Sequence, residues 1–77
     1  MDLNEFIANF AEQFDDTAPA EITADTVFKD LDDWSSMVAL SLIAMIDAEY
    51  DVTINGNTIQ DSATVKDLFD AVQKIKG

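Results

Sequence analysis

Residues 32–50 read Asp-Asp-Trp-Ser-Ser-Met-Val-Ala-Leu-Ser-Leu-Ile-Ala-Met-Ile-Asp-Ala-Glu-Tyr, and the fold turns on this stretch. Between Met37 and Ile46 the one polar residue is Ser41, so a helix from about Ser36 to Tyr50 would be apolar on nearly every side. An ordinary surface helix keeps a polar face. This one needs neighbours on several sides, or leaves part of itself open for a partner. The pair Ser35-Ser36 stands at the helix start, where a serine oxygen accepts a backbone N–H and caps the first turn. Asp32 and Asp33 just ahead of it suit the positive end of the helix dipole. Trp34 is placed to cover the core from the loop.

Toward the N-terminus, Leu3, Phe6, Ile7, Phe10 and Phe14 recur at helical spacing and predict a first helix with one apolar stripe. Asp2 caps it, with Glu5 at the capping-box position. Pro19 and the acids around Asp15 end it. From there to Trp34 no period is sustained, so the connection is a long loop with structure of its own, pinned to the core by Phe28 and Leu31.

Toward the C-terminus, Val52-Thr53-Ile54 is a short extended stretch and Asn55-Gly56-Asn57 reads as a turn. Residues 58–61 give at most one helical turn. Thr64 caps a last helix with Asp67 at the capping-box position. Val65, Leu68, Phe69, Val72 and Ile75 form its apolar stripe, and Lys74 and Lys76 suit its negative end. The predicted class is all-α: one domain over residues 1–77, a small four-helix bundle of three long helices and one short, with a long structured loop between helices 1 and 2.

Composition limits the chemistry. Among 77 residues there are sixteen acids, four lysines, no arginine, no histidine and no cysteine, for a net charge of -12. A hydrophobic fraction of 48% is too high for an acidic disordered tail and leaves material for a core. Without cysteine there is no disulfide or thiolate; without histidine the usual general base and the commonest metal ligand are missing. Four lysines among sixteen acids cannot neutralise a run of phosphates, so nucleic acid is not an expected partner, and an anionic membrane surface is disfavoured for the same reason. No apolar run is long enough to span a bilayer, which needs about 20 residues. The start Met1-Asp2-Leu3-Asn4-Glu5 lacks the positive region of a signal peptide, so the cytoplasm is the expected compartment. A metal site is not expected. Residues 1–54 hold thirteen acids and Lys29, whereas residues 55–77 hold three acids and three lysines, so all the net charge lies before residue 55. Such a chain is suited to meeting basic surfaces on other proteins.

Residues 32–38 resemble the modification site of the acyl carrier proteins, where a serine, usually in Asp-Ser-Leu, opens the second of four helices. A variant with Trp before that motif is also known in the family. Phe28 and Leu31 resemble the anchors of the family's first loop. Glu49-Tyr50-Asp51 resembles the end of its second helix, and Thr64-Val65 the start of its last. The resemblance covers essentially the whole chain. Spacing to Glu49-Tyr50-Asp51, and the apolar Met37 that follows, select Ser36 over Ser35. Ser35 then replaces the family's usual aspartate, for which Asp32 or Asp33 could compensate.

The resemblance implies a non-enzymatic carrier. A phosphopantetheinyl transferase moves 4'-phosphopantetheine from coenzyme A to the Ser36 hydroxyl. The arm's thiol then holds acyl intermediates as thioesters for fatty acid, specialised lipid or polyketide biosynthesis. Expected partners are that transferase and acyl-loading, elongating or acyl-transfer enzymes with basic docking patches. The carrier itself is expected to be monomeric. The implied partner-binding residues are Asp32, Asp33, Trp34, Ser35, Met37, Leu40, Ser41 and Asp47. Val38, Ser41 and Ala48 sit where the family commonly has acids, and Met37, Leu40 and Ala44 form the apolar strip. That pattern points to a carrier dedicated to a particular pathway.

Two other readings stay open. A peptidyl or D-alanyl carrier shares the serine-on-helix arrangement, although peptidyl carriers usually place glycine-rich sequence where this chain has acids and Trp34. A plain acidic helical adaptor without a prosthetic group also fits the composition. A calcium loop starting at Asp30 fails on its own spacing: Ser35 stands where glycine belongs and Ser41 where a bidentate glutamate belongs.

Overall fold

A computed structural model describes residues 2–77. Four helices follow one another: α1 (Leu3–Ala11), α2 (Ser36–Tyr50), α3 (Gly56–Gln60) and α4 (Val65–Lys76). Short 3₁₀ turns at Pro19–Glu21 and Phe28–Asp30 interrupt the long connection between α1 and α2. There is no strand among the described residues. This is the all-α bundle the periodicities predict, with three long helices and one short.

Aromatic packing organises the core. All seven aromatic side chains form one connected network. Phe6 meets Phe69 of α4 edge-on at 5.4 Å between centroids and Tyr50 of α2 at 5.7 Å. Phe10 meets Phe28 edge-on at 5.4 Å and Phe14 at 5.3 Å. Trp34 closes the ring, 5.1 Å from Phe28 and 6.2 Å from Phe14. Such contacts add to the area buried, because aromatic rings prefer edge-on and offset arrangements. Leu42, Ile46, Val65, Leu68 and Val72 fill the space beside the network and are fully buried.

The first helix is shorter than its stripe. It ends at Ala11, and Phe14 lies beyond it. Two tighter bonds continue the chain, from Gln13 N to the Phe10 carbonyl and from Phe14 N to the Ala11 carbonyl, each 3.1 Å. They still deliver Phe14 to the core. A competing demand ends the helix here: the amides of Asp16 and Thr17 are taken by the Asp33 carboxylate instead of by a preceding turn.

Capping fixes the other boundaries. Asn55 caps α3 by accepting from Thr58 N at 3.2 Å, so Asn55-Gly56-Asn57 opens a helix instead of making a free turn. Thr64 and Asp67 form the full capping box at α4. The next two amides of α4 are met by the preceding loop: Val65 N donates to the Thr26 carbonyl and Lys66 N to the Ala24 carbonyl. The long loop is thus hydrogen-bonded to the last helix as well as packed on the core. At the far end of α2, Asp51 adopts the left-handed conformation with φ 57° and ends the helix. Lys76 donates to the Tyr50 carbonyl there, and Asn9 donates to the Tyr50 hydroxyl, whose ionisation burial pushes up.

Phe10 touches Phe6, Phe14 and Phe28, and its side chain is fully buried. Phe10→Ala should therefore cost about 3–5 kcal/mol. Small domains have only about 5–15 kcal/mol in total. Urea or thermal unfolding followed by circular dichroism should show a variant close to unfolded at room temperature; a loss below about 1 kcal/mol would show that the network is not the core's main support.

Candidate functional site

The N-terminus of α2 divides two adjacent serines between two tasks. Ser35 is the N-cap, with extended backbone, and its Oγ accepts from Val38 N at 3.3 Å. Ser36 is the first helical residue. It is exposed, and among the described residues its hydroxyl has no hydrogen-bond partner. The amides of Ser36 and Met37 are likewise without a partner among the described residues, whereas the matching amides of α4 are met by loop carbonyls. The Ser36 hydroxyl therefore sits at the positive end of a 15-residue helix, beside two solvent-facing donors. A negatively charged group attached there is favoured by the helix.

The loop that delivers this end is held by two clasps. The first is Asp33. Its Oδ2 accepts from the amides of Asp16 and Thr17, both at 3.1 Å, and its Oδ1 accepts from the Thr17 hydroxyl at 2.6 Å. The Thr17 hydroxyl holds the carboxyl below its ordinary value; burial opposes it, and the backbone amides of Asp16, Asp33 and Thr17 add to the lowering. The second clasp is Lys29, whose ammonium donates to the Gln60 carbonyl at 2.7 Å and so ties the second 3₁₀ turn to the end of α3. Between the clasps, Trp34 N donates to the Leu31 carbonyl, a turn that presents the indole to Phe28 and Phe14.

Two grooves flank the serine pair. One, of about 290 Å³, lies between the start of α2 and α3 and is lined by Ser35, Ser36, Ala39, Ile59 and Gln60, together with Lys29 and Trp34 of the loop. The other, of about 250 Å³, lies between the loop that follows α1 and the start of α2 and brings Asp15, Asp16 and Asp33 beside Met37 and Ser41. Along α2, Met37 is 78% exposed and Leu40 65% exposed, and Ala44 and Ala48 follow on the same face. Leu42, Met45 and Ile46 point inward and are buried. Of the two possibilities for this all-apolar helix, the structure shows the second: one side is covered and one is open.

A family model described as a phosphopantetheine attachment site matches residues 2–72. The chain belongs to the acyl carrier protein family. No curated protein and no solved structure matches it in the corresponding comparisons. Members of this family carry a covalently attached 4'-phosphopantetheine and work with partner enzymes such as the transferase that attaches it. The N-terminus of α2 fits that group: it offers an unengaged hydroxyl, a favourable dipole and an adjoining groove lined by both polar and apolar residues. No helix among the described residues is long and apolar enough to cross a membrane.

The carrier's partner-binding candidates separate into two groups. Asp32, Ser35, Met37, Leu40, Ser41 and Asp47 are exposed, whereas Asp33 and Trp34 are half-buried and hold the loop. Asp15, Asp16, Lys29 and Gln60 were not legible as neighbours of the serines, because they are brought there from other elements. The nearest sequence signal is that Lys29 is the sole lysine before residue 55.

Asp33 ties stability to pH with a definite sign. Its folded value lies below its unfolded one, so its contribution is present above the unfolded carboxylate value of about 4 and disappears as pH falls through the folded value. Asp33→Asn keeps one acceptor oxygen for the Asp16 and Thr17 amides and turns an NH2 toward the Thr17 hydroxyl, so what it chiefly removes is the charge. The variant should melt several degrees below wild type at neutral pH, and the gap should narrow below about pH 4. A gap of constant size across that range would mean that the charge of Asp33 contributes nothing.

Proposed function

We propose that Ser36 is the attachment serine and that residues 1–77 act as one acyl carrier domain in fatty acid, specialised lipid or polyketide biosynthesis. The observation that carries this reading is the division of the serine pair: Ser35 Oγ is engaged as the cap and Ser36 Oγ is not. When bound, the arm supplies the thiol that this cysteine-free chain lacks and holds the cargo there as a thioester. The chain's own part is to present one hydroxyl at a helix end, to hold that end steady through Asp33 and Trp34, and to offer partners the open face of α2. The transferase supplies the metal and the base for the attachment.

Three features support acyl over peptidyl or D-alanyl cargo. Asp32, Asp33 and Trp34 stand where a peptidyl carrier usually has glycine-rich sequence. The charge before residue 55 suits enzymes with basic docking patches. The core beside α2 includes Leu42, Met45, Ile46 and Ile59, aliphatic side chains compatible with an aliphatic chain. Met37, Leu40 and Ser41, with Asp32 and Asp47 at either end, form the docking face, and the carrier works as a cytoplasmic monomer.

The absence of cysteine makes the test sharp. After incubation with coenzyme A and a broad-specificity transferase, the chain should gain the mass of one phosphopantetheine and one titratable thiol. If the same preparation modifies a control carrier and leaves this chain unchanged, the reading fails, and the adaptor without a prosthetic group takes its place.

A further inference from the structure

Residues 1–54 contain thirteen acids and a single cation, Lys29. The fold gives that cation a particular place. Lys29 lines the same groove as Ser36, with Trp34, Ala39 and Ile59 as the apolar part of the wall. Its ammonium is fixed by the bond to the Gln60 carbonyl and lies 5.8 Å from the centroid of the Phe28 ring. An ammonium has three N–H donors, and the carbonyl takes one. Among the described residues the other two have no acceptor.

Charge gives the arrangement a consequence. A phosphodiester on Ser36 adds negative charge to the most anionic part of the chain, where Asp30 and Asp32 are exposed nearby in sequence. On one side of the serine pair the groove between the loop after α1 and the start of α2 carries Asp15, Asp16 and Asp33; on the other side the groove between α2 and α3 carries Lys29. An anion attached between them is repelled from the first and attracted to the second. The second groove also has the polar and apolar mixture that an arm built of amides, a hydroxyl and methyl groups requires.

We propose that Lys29 is a positioning residue for the prosthetic arm: its ammonium pairs with the phosphodiester on Ser36 and draws the arm into the groove between α2 and α3. This rests on Ser36 being the attachment site. The Lys29–Gln60 bond holds the ammonium at the groove wall before the arm is attached, so that little side-chain freedom remains to be lost when the pair forms.

Trp34, the chain's single tryptophan, lines this groove and reports on it. The test compares wild type, Lys29→Met and Lys29→Arg before and after transfer of phosphopantetheine from coenzyme A, with intact mass confirming transfer in each. The readouts are Trp34 emission and the ³¹P resonance of the phosphodiester. In wild type, attachment should shift Trp34 emission, and the ³¹P resonance of the phosphodiester should differ from that of the same modified chain unfolded in urea. Both differences should fade as salt is raised, return with Lys29→Arg and be absent with Lys29→Met. Full modification of Lys29→Met with wild-type emission and ³¹P shifts would overturn the proposal while leaving Ser36 in place. Failure of wild type to gain mass would instead overturn the attachment reading. Should Lys29→Met not fold, the salt titration of modified wild type decides, since shifts that do not respond to salt contradict an ion pair.

Discussion

The ring formed by Phe10, Phe14, Trp34 and Phe28 is the contact on which the rest of the structure depends. It joins three segments that have no regular hydrogen bonding to one another: the end of α1, the 3₁₀ turn of the long loop, and the residue two before Ser36. A 77-residue domain buries a modest share of its surface and has little stability in reserve. Here the aromatic residues are concentrated where a 24-residue connection must be fixed in one conformation. Because Trp34 belongs to this ring, the position of the serine pair follows from the core and not from the loop alone. Asp33 acts on the same junction from outside, taking the two amides that α1 would otherwise need to satisfy.

On the proposed reading, that junction lets a chain without cysteine or histidine take part in thiol chemistry, with the catalytic groups supplied by partners and the sulfur by the arm. What remains for the protein is geometry: a hydroxyl at the positive end of a long helix, next to an open apolar face and a groove with one cation. The charge of -12 acquires a layout from the fold. Acids stand on the α1 side of Ser36 and the loop, Lys29 on the α3 side, and the exposed strip of Met37 and Leu40 carries almost no charge between them. The far end of α2 is anchored separately, through Tyr50 to α1 and to α4.

Much of this was legible in the order of residues, and what was missed shares a cause. The last helix was readable in full to its cap because stripe, capping box and terminal lysines all act within the helix itself. Ile75 is the exception: it belongs to the stripe by spacing but stays 55% exposed. The over-extension of α1 to Phe14 came from a stripe that is real in packing and not in backbone. A residue can be delivered to the core by two tight turns as well as by a helix. Asn55 and Gly56 carry turn chemistry and cap chemistry at once, and the local sequence cannot separate them. The contacts that were invisible, Asp33 with Thr17 and Lys29 with Gln60, join residues 16 and 31 positions apart and depend on the loop's path. At the site, the serine pair was legible; its division into cap and free hydroxyl needed the backbone of Ser35.

The central claim is that the two serines have separate tasks, and it is tested most directly by measuring stability and modification together on Ser35→Ala and Ser36→Ala. Loss of the cap should cost Ser35→Ala about 1 kcal/mol, within the range for N-cap removal, and leave the attachment site intact. Ser36→Ala should unfold like wild type and accept no phosphopantetheine. The reverse pattern, a destabilised Ser36→Ala or a Ser35→Ala that alone escapes modification, would contradict the account.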